Sequence, residues 1–354
     1  MDTDNRHIKV LIIATSRHTR GGITSVLKTY QQSALWDEFS CKWLESHCDK
    51  NLLVKLYYFI SSFIQALYYI PTYDIVHIHT SRPGSVIRKL PYILYARLWK
   101  KKVISHLHFF ETHVVFSKRY KNLYRLLSRL SHKIIVLSER CKKEYTGEIF
   151  PAEKMCVIYN PITTIQSTTT YQRKKQILFA GLLIPDKGYK DLIQAFASIA
   201  HEYPDWQLVL AGSGEIAEAQ ELACQLNISS QTLLPGWIGG EEKNRYFSQA
   251  SIFCLPSYSE GFPMVILEAW GCKTPTVTTP VGGLPDVLIE NENALVFTPG
   301  DIPTLASHLK RLISDETLRK HIADKSHSMA ITKFATSAIY NDIKRLYINT
   351  LRQI

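Results

Sequence analysis

Cys-x-x-Cys pairs, internal repeats, low-complexity tracts and nucleic-acid signatures are all missing from these 354 residues. The seven cysteines, at 41, 48, 141, 156, 224, 254 and 272, are odd in number, and several sit inside apolar runs. That excludes a disulfide framework and a cysteine zinc site, and implies reduced thiols in a cytosolic setting. The first residues, Met-Asp-Thr-Asp-Asn-Arg-His, are polar and acidic, so no signal peptide is read there, and Asp2 and Asp4 are assigned no metal. A clean membrane-spanning run is also lacking. The nearest, 52–70, is broken by Lys55, Ser61, Ser62 and Gln65, while Leu56, Ile60, Phe63, Leu67 and Ile70 recur at helical spacing, which predicts a core or interfacial helix. Acidic charge is scarce in the first half only. Residues 1–170 hold 25 Lys+Arg against 12 Asp+Glu, whereas 171–354 hold 17 against 19.

What is present is ordinary globular composition, 45% hydrophobic and 21% charged, in a length that suits two medium α/β domains. Apolar strand-like runs (7–14, 74–79, 102–108, 133–137) alternate with helical patterns from about Thr24, over 52–70, 85–99 and around 116–130. Residues 163–176 have little apolar content and read as a linker. Beyond it strands at 177–180, 206–211, 231–234, 251–255, 275–278 and 294–297 alternate with helices at 189–201, 215–226, 241–250, 263–270, near 285–289 and 302–313, and a last helix starts near Thr336. Strands alternating with helices predict parallel sheets covered on both faces.

Most of the chemistry gathers in 251–271. A strand-like run ends in turn residues Ser257 to Gly261, and Pro263 suits the first position of a helix whose N–H groups then face the carboxyl edge of the sheet. Glu260 falls in that loop and Glu268 about one and a half turns into the helix, so the two reach different parts of one elongated ligand carrying phosphate and hydroxyls.

This stretch resembles the Glu-x7-Glu signature of family 4 of the retaining GT-B glycosyltransferases, the glycosyl transferases of group 1. The resemblance implies two Rossmann-like domains whose parallel sheets face each other across a donor cleft. It implies an acceptor domain at 1–165, a linker at 166–176, a nucleotide-sugar domain at 177–335 and a helix, 336–354, returning to the first domain. By resemblance Glu260 holds donor-sugar hydroxyls, the backbone of Gly261, Phe262, Pro263 and Met264 approaches sugar and diphosphate, and Glu268 binds the ribose. Residues 180–188 look like the family's Gly-Arg-Leu…Lys-Gly motif, with Gly181 in place, Lys187 as the phosphate cation and Leu182 where the family has Arg. Losing that guanidinium removes bidentate pairing, and Arg20 or Arg82 are the candidate substitutes. Gly214 lies in a glycine-rich loop where backbone can approach a ligand, and Trp237 and Ile238 match the nucleobase segment. The Gly282–Gly283 turn is read as structural or supporting with equal weight.

In the first half, Gly21 and Gly22 open a helix under which phosphate or sugar can sit. His106 and His108 share one face of a strand, and the family places a His at this strand end, here His108, followed by Phe109 where Gly is usual. His77 and His79 alternate likewise and are read as core packing, and Glu111 is placed to orient an acceptor. Basic and aromatic residues interleave over 90–102 and 116–133, which suits either the cytosolic surface of an anionic membrane or a solvated basic face.

The implied activity is a retaining, metal-independent transfer of a hexose from a nucleotide diphosphate sugar, UDP-linked, to a glycan or lipid-linked glycan in cell-surface polysaccharide synthesis. Catalytic roles fall to His108, Glu260 and Lys187, with no cofactor and no nucleic acid, in the cytoplasm at the inner face of the membrane. The rivals are another GT-B chemistry, a nucleotide-sugar 2-epimerase or phosphorylase, and a non-catalytic basic membrane- or nucleic-acid-binding protein on a degenerate scaffold.

Overall fold

The computed structural model describes residues 7–147, 149–162 and 171–352. Asp2 and Asp4 and most of the expected linker, 163–170, lie outside the described residues. The chain divides into two compact units, 1–161 with 335–354, and 162–334.

The first unit carries β1 (Val10–Thr15), α1 (Gly22–Gln31), α2 (Leu35–Glu38), β2 (Lys42–His47), α3 (Leu52–Tyr69), β3 (Ile75–Thr80), α4 (Pro83–Leu98), β4 (Lys102–Leu107), α5 (Thr112–Val115), α6 (Lys121–Leu130), β5 (Lys133–Val136), α7 (Glu139–Tyr145) and β6 (Met155–Val157). Its sheet is fully parallel in the order β2-β1-β3-β4-β5-β6, so the winding direction switches between β1 and β3. Alternation along β3 decides the two faces. Val76 and Ile78 join the aliphatic core under α3, α4 and α6, with Ala66, Ile93 and Leu127. His77 and His79 point to the other face, where His77 Nδ1 meets Tyr347 Oη at 2.7 Å.

The second unit carries β7 (Lys174–Ala180), α8 (Tyr189–Ile199), β8 (Gln207–Ala211), α9 (Ile216–Gln225), β9 (Thr232–Leu233), α10 (Gly240–Gln249), β10 (Ala250–Leu255), α11 (Met264–Gly271), β11 (Thr276–Thr278), β12 (Leu295–Val296), α12 (Ile302–Ser314) and α13 (Glu316–Lys333). Its parallel sheet runs β12-β11-β10-β7-β8-β9, a doubly wound order with the switch between β7 and β10. The last helix, α14 (Thr336–Arg352), belongs to the first unit, where Tyr347 packs edge-on against Phe39 and Lys344 pairs with Glu38 at 2.6 Å.

The alternating α/β reading holds, with local corrections. The expected helix around 116–130 is the shorter α6, preceded by the separate turn of α5, and that near 285–289 is a single 3-10 turn, Leu284–Asp286. Strand β7 starts at Lys174, inside the expected linker, because Arg173 and Ser251 tie its first residues to the β10 end. Strand β2 and helix α13 were not anticipated. Of the stripe read on the core or interfacial helix 52–70, Leu56, Ile60 and Leu67 are exposed, whereas Phe63 is half-buried against the core and Ile70 is buried.

Candidate active site

The second unit assembles its site from the two loops beside its switch point. Gly188 makes this possible. It follows a 3-10 turn at φ 65°, and a Cβ there would sit 2.0 Å from the Pro256 carbonyl oxygen, so only glycine lets the β7 loop lie against the β10 loop. Tyr258 N–H donates to Asp186 O at 2.8 Å across the same seam. Lys187 is thereby carried to Glu260, Nζ to Oε1 at 2.6 Å, with Ser257 Oγ donating to the same carboxylate oxygen at 2.8 Å. Both side chains are largely but not fully buried.

Pro263 does not occupy the first helical position as expected. It is the N-cap residue of α11, in extended backbone, and the helix starts at Met264. The side chains of Phe262, Pro263 and Met264 are buried, Phe262 against Phe334 at 5.5 Å, so this segment can meet a ligand only through its backbone. The Gly282–Gly283 turn lies directly beneath. A Cβ on Gly282 would come 2.2 Å from Glu260 O, and Gly283 N–H donates to Gly261 O at 2.8 Å. That turn buttresses the Glu260 loop.

Glu268 is buried inside α11, and its Oε1 meets Lys243 Nζ of α10 at 2.5 Å. Its other oxygen, Oε2, has no hydrogen-bond partner. Burial raises the carboxyl pKa above the ordinary glutamate value, against the opposing pull of Lys243. A buried acceptor without a donor costs about 1–3 kcal/mol, so this atom is suited to receive a ligand hydroxyl. Lys243 was missed by sequence reasoning, since nothing in α10 distinguishes it from a solvated helix lysine.

The glycine-rich loop has a packing reason for its glycines. A Cβ on Gly212 would meet Gly181 O at 1.7 Å, and one on Gly214, at φ 123°, would meet Leu183 O at 2.4 Å. Gly181 and Gly214 thus serve a close packing of the β7 and β8 loops, laced by Leu183 N–H to Ser213 O and Glu215 N–H to Leu183 O, both 2.8 Å. Leu182 is exposed in that loop. After β9, Trp237 is 40% exposed while the Ile238 side chain is buried, so Ile238 can offer only backbone to a base.

In the first unit, Gly21 caps α1 at φ 140° with open space where a Cβ would stand, and Gly22 is the first helical residue. His108, half-buried at the end of β4, bonds through Nε2 to His79 Nδ1 at 2.8 Å. Burial holds His108 down to about 3 and His77 likewise, so the imidazoles are neutral near pH 7. His79 and His106 lie directly across the β3–β4 ladder, and the four rings stack, His106 on His108 at 4.1 Å. His77, His79 and His106 offer ring nitrogens within 4.8 Å of one another, the donor composition of a transition-metal site. Lys89 disfavours a divalent ion there. Its side chain is buried, donates to the His79 carbonyl, and is pushed down to about 7 by burial. Arg82 is salt-bridged to Glu111 at 2.8 Å, joining two residues that sequence reasoning had singled out separately.

Two family models match the chain: "Glycosyl transferases group 1" over residues 162–329 and "Glycosyltransferase Family 4" over 42–166. The chain belongs to the group 1 glycosyltransferases. This member is 24% identical over 297 residues to the 2-deoxystreptamine N-acetyl-D-glucosaminyltransferase of Niallia circulans, covering 78% of this chain and 76% of the relative. Its fold matches that of Anabaena HepE, solved with UDP-glucose, at a TM-score of 0.77 and 18% identity, over 97% of this chain and 100% of the other. The lipopolysaccharide outer core galactosyltransferase WaaB superposes at 0.67 with 20% identity, over 97% of this chain and 99% of the other. This glycosyltransferase therefore has the GT-B fold, and its Lys187–Glu260 pair and Glu268 lie inside the matched group 1 segment.

Proposed function

We propose that this glycosyltransferase is a retaining, metal-independent hexosyltransferase that uses a nucleotide diphosphate sugar, UDP-linked, and a glycan or lipid-linked glycan acceptor at the cytoplasmic face of a membrane, in cell-surface polysaccharide synthesis. One observation carries the donor reading. At the switch point of the second sheet a lysine of the β7 loop meets the loop carboxylate Glu260, and the β10–α11 segment that bears Glu260 continues to a buried carboxylate with a spare acceptor oxygen, Glu268. Lys187 supplies positive charge for the departing diphosphate, Glu260 accepts from sugar hydroxyls, and Glu268 Oε2 accepts from the ribose. UDP is favoured because structural neighbours of this fold were solved with UDP or UDP-glucose.

In the retaining step the anomeric carbon–phosphate bond breaks and the acceptor oxygen bonds to carbon on the same face. A leaving phosphate oxygen takes the acceptor proton. Lys187 then offsets charge on the diphosphate. His108 of the first unit is proposed as a further catalytic group, a neutral imidazole whose Nε2 is engaged by His79.

Thermal stabilisation by a panel of nucleoside diphosphates and nucleotide sugars tests this, because a ligand bound to the folded state raises Tm. UDP and one UDP-sugar are expected to shift Tm, and Glu268→Ala to abolish the shift. Exposed Leu182, in place of a phosphate-binding arginine, favours the rival non-catalytic scaffold, and no shift with any donor would put that rival first.

A further inference from the structure

Helix α3 is apolar on both sides. Inward it packs Ser62, Ala66 and the half-buried Phe59 and Phe63 against α4, with Ser62 Oγ bonding Tyr92 Oη at 2.6 Å. Outward it presents Leu53, Leu56, Tyr57, Ile60, Ile64 and Tyr68, at three- and four-residue steps, Leu53 being 77% exposed and Tyr68 72%. α4 lies beside it, tied by Tyr95 Oη donating to Leu67 O at 3.1 Å, and exposes Ile87, Leu94 and Leu98 in the same rhythm, then Trp99. Two neighbouring helices thus form one uncovered apolar face along the roughly 27 Å of α3. Contiguous faces of this size mark interaction sites.

Charge decides what covers it. Residues 49–102 hold nine Lys+Arg, of which Lys89 is buried, against two acidic residues, Asp49 and Asp74. Lys50 and Lys55 stand at the start of α3, and Arg97, Lys100 and Lys101 at the end of α4, beside the amphipathic rings of Tyr68 and Trp99. A second copy meeting this face would set basic rim against basic rim. A bilayer with anionic headgroups matches both the apolar centre and the basic edge, and takes tyrosine and tryptophan at its interface. We propose that the α3–α4 face docks this glycosyltransferase onto an anionic membrane, with α3 lying in the interface plane rather than spanning it. This keeps the 90–102 part of the basic, aromatic surface read from sequence, which falls on α4 and its end, and adds α3 to it in place of 116–133. It deepens the reading of a membrane-presented acceptor, and rests on that reading for what the docking achieves.

Flotation of the full chain with phosphatidylcholine vesicles, with and without phosphatidylglycerol, tests it. Binding is expected only to the anionic vesicles, weakened roughly tenfold or more by Ile60→Glu with Ile64→Glu, and also weakened by Lys100→Glu with Lys101→Glu. The Tm shift with UDP, read on the same variants, should be unchanged, which shows they fold and separates this proposal from the donor assignment. No flotation of the wild type, or equal flotation of the Ile60/Ile64 variant, overturns it. So does a wild-type dimer in solution that the same variant makes monomeric, since the face would then belong to a second copy.

Discussion

The two units share one architecture and bury opposite kinds of polar group. Each is a six-stranded parallel sheet wrapped by helices. Beneath the first sheet lie four stacked imidazoles, neutral because burial disfavours their charged form. In the second, beside the switch point, lie two lysine–carboxylate pairs, Lys187–Glu260 and Lys243–Glu268. The same fold therefore makes one half that buries stacked neutral imidazoles beside Lys89 and one whose paired charges can answer a charged ligand. Fold alone decides neither; the loops and the residues at the strand ends do.

The comparison breaks most directly at Lys187. Lys187→Ala removes the charge assigned to the leaving diphosphate and leaves Glu260 with only Ser257 of the partners described here. A loss of about 10²–10³-fold in kcat is expected, as for removal of one preorganised group facing developing charge, with partial recovery in Lys187→Arg. His108→Ala, in the neutral half, should cost less. Initial rates with a UDP-hexose measure both, and a larger loss at His108 would move the weight of catalysis to the first unit.

Next in size is a pair of glycine substitutions that contrast the turns of the two units. At Gly188→Ala the new Cβ meets backbone at 2.0 Å and φ is 65°, so a cost of about 2–4 kcal/mol is expected, or roughly 5–10 °C in Tm. Gly21→Ala shares the positive φ but has open space around the Cβ, and only the conformational cost of about 1–2 kcal/mol applies. Equal Tm losses would mean that the β7–β10 loop contact is softer than its geometry.

What the sequence made legible follows the same division. Strongly periodic segments and the α/β alternation were readable, as was the Glu260–Glu268 spacing, because strand, turn and helix chemistry agree there. Lys243 was not, since its meaning depends on α10 packing against α11. Helix α13 escaped because its apolar residues are few and it buries mainly Ile322, Ala323, Ser326 and Ala330. Strand β2, Lys-Trp-Leu-Glu-Ser-His, has weak alternation and sits at the sheet edge. For α3 the periodicity was seen and its direction was left open between core and interface, because a sequence stripe shows that a helix has an apolar face and not which way it points. The glycine-rich loop around Gly214 was legible as a place of close backbone approach, but not that Gly212 and Gly214 lie against carbonyl oxygens of the adjacent loop.

The smallest effect sharpens the contrast through pH, because the two interiors have opposite signs. A histidine held below its ordinary value of 6.5 contributes stability that is complete above that value and is lost as pH falls toward its folded pKa, about 3 for His77. A glutamate held above 4.5, as Glu268 is, contributes in the other direction: its share is complete below 4.5 and is lost as pH rises through its folded value. Both ring nitrogens of His106 lack partners, so His106→Leu should cost little at pH 7. On acidification from 6.5 to 4 it should gain on wild type by up to about 1.4 kcal/mol per pH unit, one proton's worth. Glu268→Gln should gain on wild type as pH rises from 4 to 7, by a smaller amount because Lys243 offsets part of the burial cost. Tm measured across pH 4–7 for the three proteins gives curves that diverge in opposite directions. If both variants drift the same way, the buried charge of the second unit is not what distinguishes it from the first.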